Sequence, residues 1–170
     1  QRVKVAILDS GFDQSHPKLK DFYEKDQIKA KSFIEGEPAT TDVCGHGTHM
    51  VDLVLRAAPN AQIFMAKVFL SGQSTEMHRN QDLIAEAIRY ATHTEHADII
   101  SMSWGYKQEI PVIAQSIREA FHHNVILIAS ASNSGSLTKE SVAFPANLRQ
   151  VICINSTDGY GNPSEFNPAP

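Results

Sequence analysis

Val5-Ala6-Ile7-Leu8-Asp9-Ser10-Gly11 decides how this chain folds. Four apolar residues run without a polar break and then meet a carboxylate. Such a run, with no alternation, reads as a strand buried on both faces, and strands of that kind belong to parallel sheets covered by helices. Similar runs recur at 63–68, 98–102, 125–129 and 151–155. Between them the apolar period changes. Leu83, Ile84, Ala87, Ile88 and Ala91 share one helical face, as do Ile113, Ile117, Ala120 and Phe121. Pro59-Asn60 separates a helix ending near Ala58 from the next strand. The pattern predicts an α/β fold: a three-layer, mostly parallel central sheet with helices on both faces and right-handed crossovers.

The bulk properties narrow the function. The chain has 170 residues, 42 % hydrophobic and 20 % charged, which suits one folded domain over 1-170 rather than a disordered segment. Its net charge is −4 and no basic block appears, so no nucleic-acid partner is expected. The longest apolar runs are too short to span a bilayer, so no membrane partner is expected either. Two cysteines make no disulfide framework. Cys153, inside an apolar run, reads as a buried free thiol. Cys44 reads as a small packed residue, with an exposed thiol beside the site as the alternative. Low cysteine content and a chain that opens directly into a strand lean slightly towards a cytoplasmic protein.

In a parallel sheet, ligands bind beyond the carboxyl ends of the strands. Asp9 is at such an end, and so are Ser103-Trp104-Gly105 and the stretch 130–135. Gly45-His46-Gly47-Thr48-His49 opens a helix. Taken singly, each has a plainer meaning. Asp-Ser-Gly and Asn133-Ser134-Gly135 are ordinary turn chemistry, a lone tryptophan is usually core, and His78, His93, His96, His122 and His123 read as solvated. Taken together and in order, they converge on one sheet edge. An aspartate followed by a histidine is two thirds of an Asp-His-Ser triad in that chain order.

Four segments resemble the subtilisin-like serine proteases, the subtilases. Val5 to Asp13 with His16-Pro17 resembles the catalytic-aspartate motif, and Gly45 to His49 the catalytic-histidine motif. Ile100-Ser101-Met102-Ser103-Trp104-Gly105 resembles the substrate-binding strand. Ala129 to Gly135 resembles the segment with the oxyanion-hole asparagine. Order and spacing fit the N-terminal two thirds of the catalytic domain.

The resemblance implies roles. His46 would take the proton of an attacking serine and return it to the leaving amine, while Asp9 fixes its tautomer. Asn133 would donate to the oxyanion; losing such a donor costs about 100- to 1000-fold in subtilisin. Ser103, Trp104 and Gly105 would pair with an extended peptide or protein substrate, flanked by Leu70, Ser71 and Gly72 on its other side. Trp104 with Ser130, Ala131 and Ser132 would wall the first specificity pocket. Phe144-Pro145 would be a cis peptide. The resemblance also implies a secreted protein as the alternative to a cytoplasmic one.

The chain also departs from the family pattern. No Gly-Thr-Ser-x-Ala segment supplies a nucleophile, so the chain alone is expected to be inactive and the domain incomplete at its C-terminus. Ser132 replaces a customary glycine before Asn133. Asp52 is an unexpected charge close to the imidazole's surroundings. The short link from the His46 helix to Pro59 lacks the insertion that builds a strong calcium site in secreted relatives. No cofactor is expected, and weak calcium elsewhere stays open. An incomplete sheet edge would also invite self-association. Two other functions compete: a pseudoprotease that binds peptide without cutting it, and a metal hydrolase using His46, His49 and Asp52 at helical spacing. A nucleotide-binding reading fails for want of a Gly-rich phosphate loop.

Overall fold

The structure, a computed structural model, describes residues 2–71, 79–133 and 142–168. Its elements in chain order are β1 (Lys4–Asp9), α1 (Lys20–Glu24), β2 (Ile28–Ser32), α2 (His46–Ala57), β3 (Gln62–Lys67), α3 (Gln81–His93), β4 (Ile99–Met102), α4 (Pro111–His122), β5 (Ile126–Ser130) and β6 (Val151–Ile154). The strands form one six-stranded sheet in the order β2-β3-β1-β4-β5-β6, with every pairing parallel. This is the α/β fold expected from the sequence.

Successive side chains of β1 point to opposite faces, and both faces are covered. Val5 and Ile7 pack with Val51 and Leu55 of α2 and with Ile63 and Met65 of β3. Ala6 and Leu8 join the other cluster, with Ile84 and Ile88 of α3 and Ile113 and Ile117 of α4. Burial on two sides is why β1 reads as a continuous apolar run. Each such isoleucine or leucine contributes about 1.5–3 kcal/mol on burial.

The edges of the sheet read differently. β2 was not legible as a strand: Ile-Lys-Ala-Lys-Ser buries fully only Ile28. Lysines on an outer strand discourage pairing with another chain. At the opposite edge, β6 buries Val151 but exposes Ile152 and Ile154 by 52 % and 50 %. Two expectations fail here. Cys153 is exposed, because an outermost strand lacks a neighbour on one side. Phe121 is also exposed, at the last turn of α4, where it borders an open groove beside Ile126 and Ile152 at the sheet edge. The Phe144-Pro145 bond is cis. Among the described residues no helix is long and apolar enough to cross a membrane.

Candidate active site

Parallel pairing places the carboxyl ends of all six strands at one edge, and the site assembles there. Asp9 ends β1 and is 4 % exposed. Beside it in register is Lys67 of β3, fully buried except for its ammonium contacts. Lys67 Nζ donates to Thr41 O at 2.9 Å and to Pro38 O at 3.3 Å, with Glu37 Oε2 at 4.0 Å. A buried charge persists only when paired and hydrogen-bonded. Lys67 therefore ties the loop before α2 to the floor of the site.

Gly11 and Gly47 bring that floor and α2 into contact. Gly11 has φ of +96°, a conformation glycine adopts freely. A methyl group on it would meet Thr41 O at 2.6 Å and Ala39 O at 3.0 Å. A methyl group on Gly47 would collide with the Gly11 carbonyl. Only a bare backbone lets the first turn of α2 sit on Gly11, and this seat aims His46 at β1.

The imidazole meets the carboxylate directly. His46 Nδ1 lies 2.8 Å from Asp9 Oδ1 and 2.9 Å from Oδ2. Ser10 N also donates to Asp9 Oδ1, at 2.8 Å. The carboxylate cannot turn without breaking these bonds. The Asp9 hydrogen bond raises the His46 pKa above its ordinary 6.5; partial burial opposes this, and the charges of Asp9 and Asp42 add to it. An imidazole with Nδ1 committed to an anion keeps Nε2 available as a base, and its cation is stabilised once formed.

The raised pKa gives a stability signature with a definite sign. The stabilisation is fully present below the ordinary value of 6.5 and is lost as pH rises through the higher folded value. The side chain of His46 is 47 % exposed, so solvent screening keeps the effect small. The urea midpoint is expected to fall across this window. In His46→Gln the fall should be shallower, which paired unfolding titrations can check.

One organising residue escaped the sequence reading. Asp42, in the loop before α2, accepts from Thr48 N at 2.8 Å, Thr48 Oγ1 at 2.7 Å, Gly45 N at 2.9 Å and Ser10 Oγ at 2.9 Å. Ser10 Oγ in turn accepts from Gly47 N at 3.0 Å. The opening amides of α2 are thus satisfied from outside the helix, since its N-cap, Gly45, has no side chain. An anion at that end also suits the helix dipole. A carboxylate three residues before the Gly-His-Gly run was the available signal.

Some of the remaining predicted residues share a cleft with this pair. Cys44, His46, Phe69, Ser71, Ser103 and Trp104 line one cleft. Cys44 is exposed, not packed, with Sγ 3.7 Å from Ser71 O. Trp104 is both wall and core: it is 7 % exposed, its Nε1 donates to Leu8 O at 3.1 Å, and its ring stands edge-on to Phe69. Leu70 is 40 % exposed, and Gly72 lies outside the described residues. Gly105 is pressed against Ala143 and Phe144, with room for no side chain. Ser130 ends β5; Ala131, Ser132 and Asn133 follow, Asn133 being exposed. The Ala131 N–H donates to Ile154 O and its C=O accepts from Ala143 N. Asp52 pairs with Arg56 at 2.6 Å. With His46 held by Asp9, the trio His46, His49 and Asp52 does not converge on a metal. Among the described residues, no three His, Cys, Asp or Glu side chains are grouped to hold one.

Comparison with known proteins gives the family and the fold. The Subtilase family profile matches residues 1–169. The major intracellular serine protease of Bacillus subtilis (strain 168) is 31 % identical over 99 % of this chain and 55 % of its own length. Subtilisin DY of Bacillus licheniformis is 31 % identical over 96 % of this chain and 60 % of its own. The chain thus spans a little over half the length of these relatives. Among solved structures, the protease domain of PatA (S218A mutant) superposes with a TM-score of 0.77 at 23 % identity, over 98 % of this chain and 62 % of that one. The prenylagaramide maturation protease PagA gives 0.75 at 24 %, over 98 % and 57 %. These two share the fold. An aspartate on the first strand held by a histidine at the start of a helix, on a parallel sheet matched along its length by one family, identifies the chain as a member of the subtilase family.

Proposed function

We propose that Asp9 and His46 form the proton relay of a serine endopeptidase domain, and that its nucleophilic serine lies outside these 170 residues. The contact of His46 Nδ1 with both Asp9 oxygens, at 2.8 and 2.9 Å, is the observation that carries this reading. In the reaction, a serine Oγ attacks a peptide carbonyl carbon while His46 takes the hydroxyl proton. The tetrahedral oxyanion is met by Asn133. The C–N bond then breaks as His46 returns the proton to the leaving amine. Asp9 holds the imidazole in the tautomer that can accept, and stabilises its cation. The substrate is an extended peptide laid along 103–105, with the cleft by Phe69 and Trp104 taking an apolar side chain.

A fluorophosphonate added to the 170-residue chain should leave no adduct. A polypeptide that carries the same chain joined to a Gly-Thr-Ser-x-Ala segment should label, and His46→Ala should slow labelling by about 10⁴- to 10⁶-fold. The second reading is a pseudoprotease that binds peptide without cutting it. It wins if the joined polypeptide binds peptide yet never labels.

A further inference from the structure

The hydroxyl of Ser10 has one proton and three polar neighbours. It accepts from Gly47 N, and it can donate to only one of two carboxylates. Asp42 Oδ1 lies at 2.9 Å and Asp9 Oδ1 at 3.2 Å. The shorter contact takes the proton. Asp9 Oδ1 is then left to Ser10 N and to His46 Nδ1, with no hydroxyl competing for its charge. Asp42 meanwhile fixes the frame on which His46 is mounted, through Gly45 N, Thr48 N and Thr48 Oγ1. The charged and titratable groups that bear on the ring are Asp9 from β1 and Asp42 from the loop.

We infer that Asp42 is a positioning residue of the His46–Asp9 pair: by drawing off the Ser10 hydroxyl proton and anchoring the first turn of α2, it leaves the Asp9 carboxylate committed to His46. The inference rests on the relay reading above. Without Asp42, the Ser10 hydroxyl turns to Asp9 Oδ1 and shares the lone pairs that hold Nδ1–H. The imidazolium then loses stabilisation twice, once through the missing charge and once through the diverted proton. Asp42 touches neither substrate nor reacting atoms and acts only through Ser10 and α2.

NMR of the whole chain tests this without substrate or nucleophile, so its outcome is separable from the fate of the peptidase reading. Two signals are read: the pH titration of the His46 ring and the low-field Nδ1–H resonance. Asp42→Ala should shift the His46 titration downward and abolish the Nδ1–H signal. Asp42→Asn, which keeps an acceptor for Thr48 N but no charge, should fall between. In a Ser10→Ala background, Asp42→Ala should shift the titration less than it does in the parent, because no hydroxyl remains to be diverted. Asp158→Ala, which removes a carboxylate holding a remote turn, should leave both signals in place. If Asp42→Ala fails to fold, Asp42→Asn and Ser10→Ala with their double variant carry the same comparison. An unchanged His46 titration in the Asp42 variants overturns the proposal. So do Ser10 and Asp42 substitutions whose shifts simply add, since the proton-sharing route requires coupling.

Discussion

Gly47→Ala is expected to pull His46 away from Asp9 and to destabilise the fold by about 3 kcal/mol, the upper part of the overpacking range. Intrinsic propensity points the other way, since alanine is favoured over glycine inside a helix by about 1 kcal/mol. The site reverses that sign. The new methyl group would collide with the carbonyl of Gly11, and Gly11 C and N would each lie 3.2 Å away. All three are backbone atoms and cannot rotate aside. Gly11 is itself crowded, since a methyl group on it would meet Thr41 O and Ala39 O. The first turn of α2 must lift, and His46 lifts with it. A displacement near 1 Å costs a catalytic arrangement about 100-fold. Urea unfolding and the Nδ1–H signal of His46 measure both effects. Gly159→Ala, where a methyl group meets nothing within 4 Å, should stay within about 0.5 kcal/mol of the parent. A Gly47→Ala protein as stable as its parent, with the imidazole still bonded, would show that the helix seat is not what aims His46.

The second large effect falls on Asp9→Asn. The substitution keeps size and leaves an oxygen for Ser10 N, so the fold should tolerate it. It removes the anion that supplies the largest contribution to the raised His46 pKa. It also presents an amide that can donate to Nδ1, which selects the tautomer unable to take a serine proton. In the polypeptide joined to a nucleophilic serine, acylation should fall about 10⁴-fold, as expected for a wrong tautomer, equal to about 5.5 kcal/mol of barrier. The His46 titration should move down in parallel. A rate within tenfold of the parent, measured by single-turnover acylation, would sink the relay reading.

Much of this was legible in the sequence, and for identifiable reasons. Val5 to Leu8 is buried on both faces, so its burial wrote itself into consecutive apolar residues. Asp9 and His46 were legible because two glycines and a strand end frame them in a recognisable order. β2 was illegible because an edge strand buries little, and alternating lysines resemble a solvated loop. Cys153 and Phe121 were misjudged because periodicity tells which residues share a face but not whether anything lies on that face. Cys44 was misjudged because size alone does not place a loop residue. Asp42 was missed because its partners, Ser10 and Thr48, are joined to it by folding rather than by spacing. A single loop carboxylate carries no mark in the sequence that separates a helix anchor from a surface charge.

β1 has one further consequence. At about 3.3 Å per residue, its six residues put Lys4 and Asp9 roughly 17 Å apart. Lys4 N is bonded to Asp98 Oδ2 at 2.8 Å and Lys4 Nζ to Glu95 O at 2.9 Å, all at the far end of the sheet. Effects of substitutions separated by more than about 10 Å usually add. The two ends of this strand therefore behave as independent dials. Exchanges at Lys4, Glu95 or Asp98 can harden or soften the domain against heat while the proton affinity of His46 stays where Asp9 sets it.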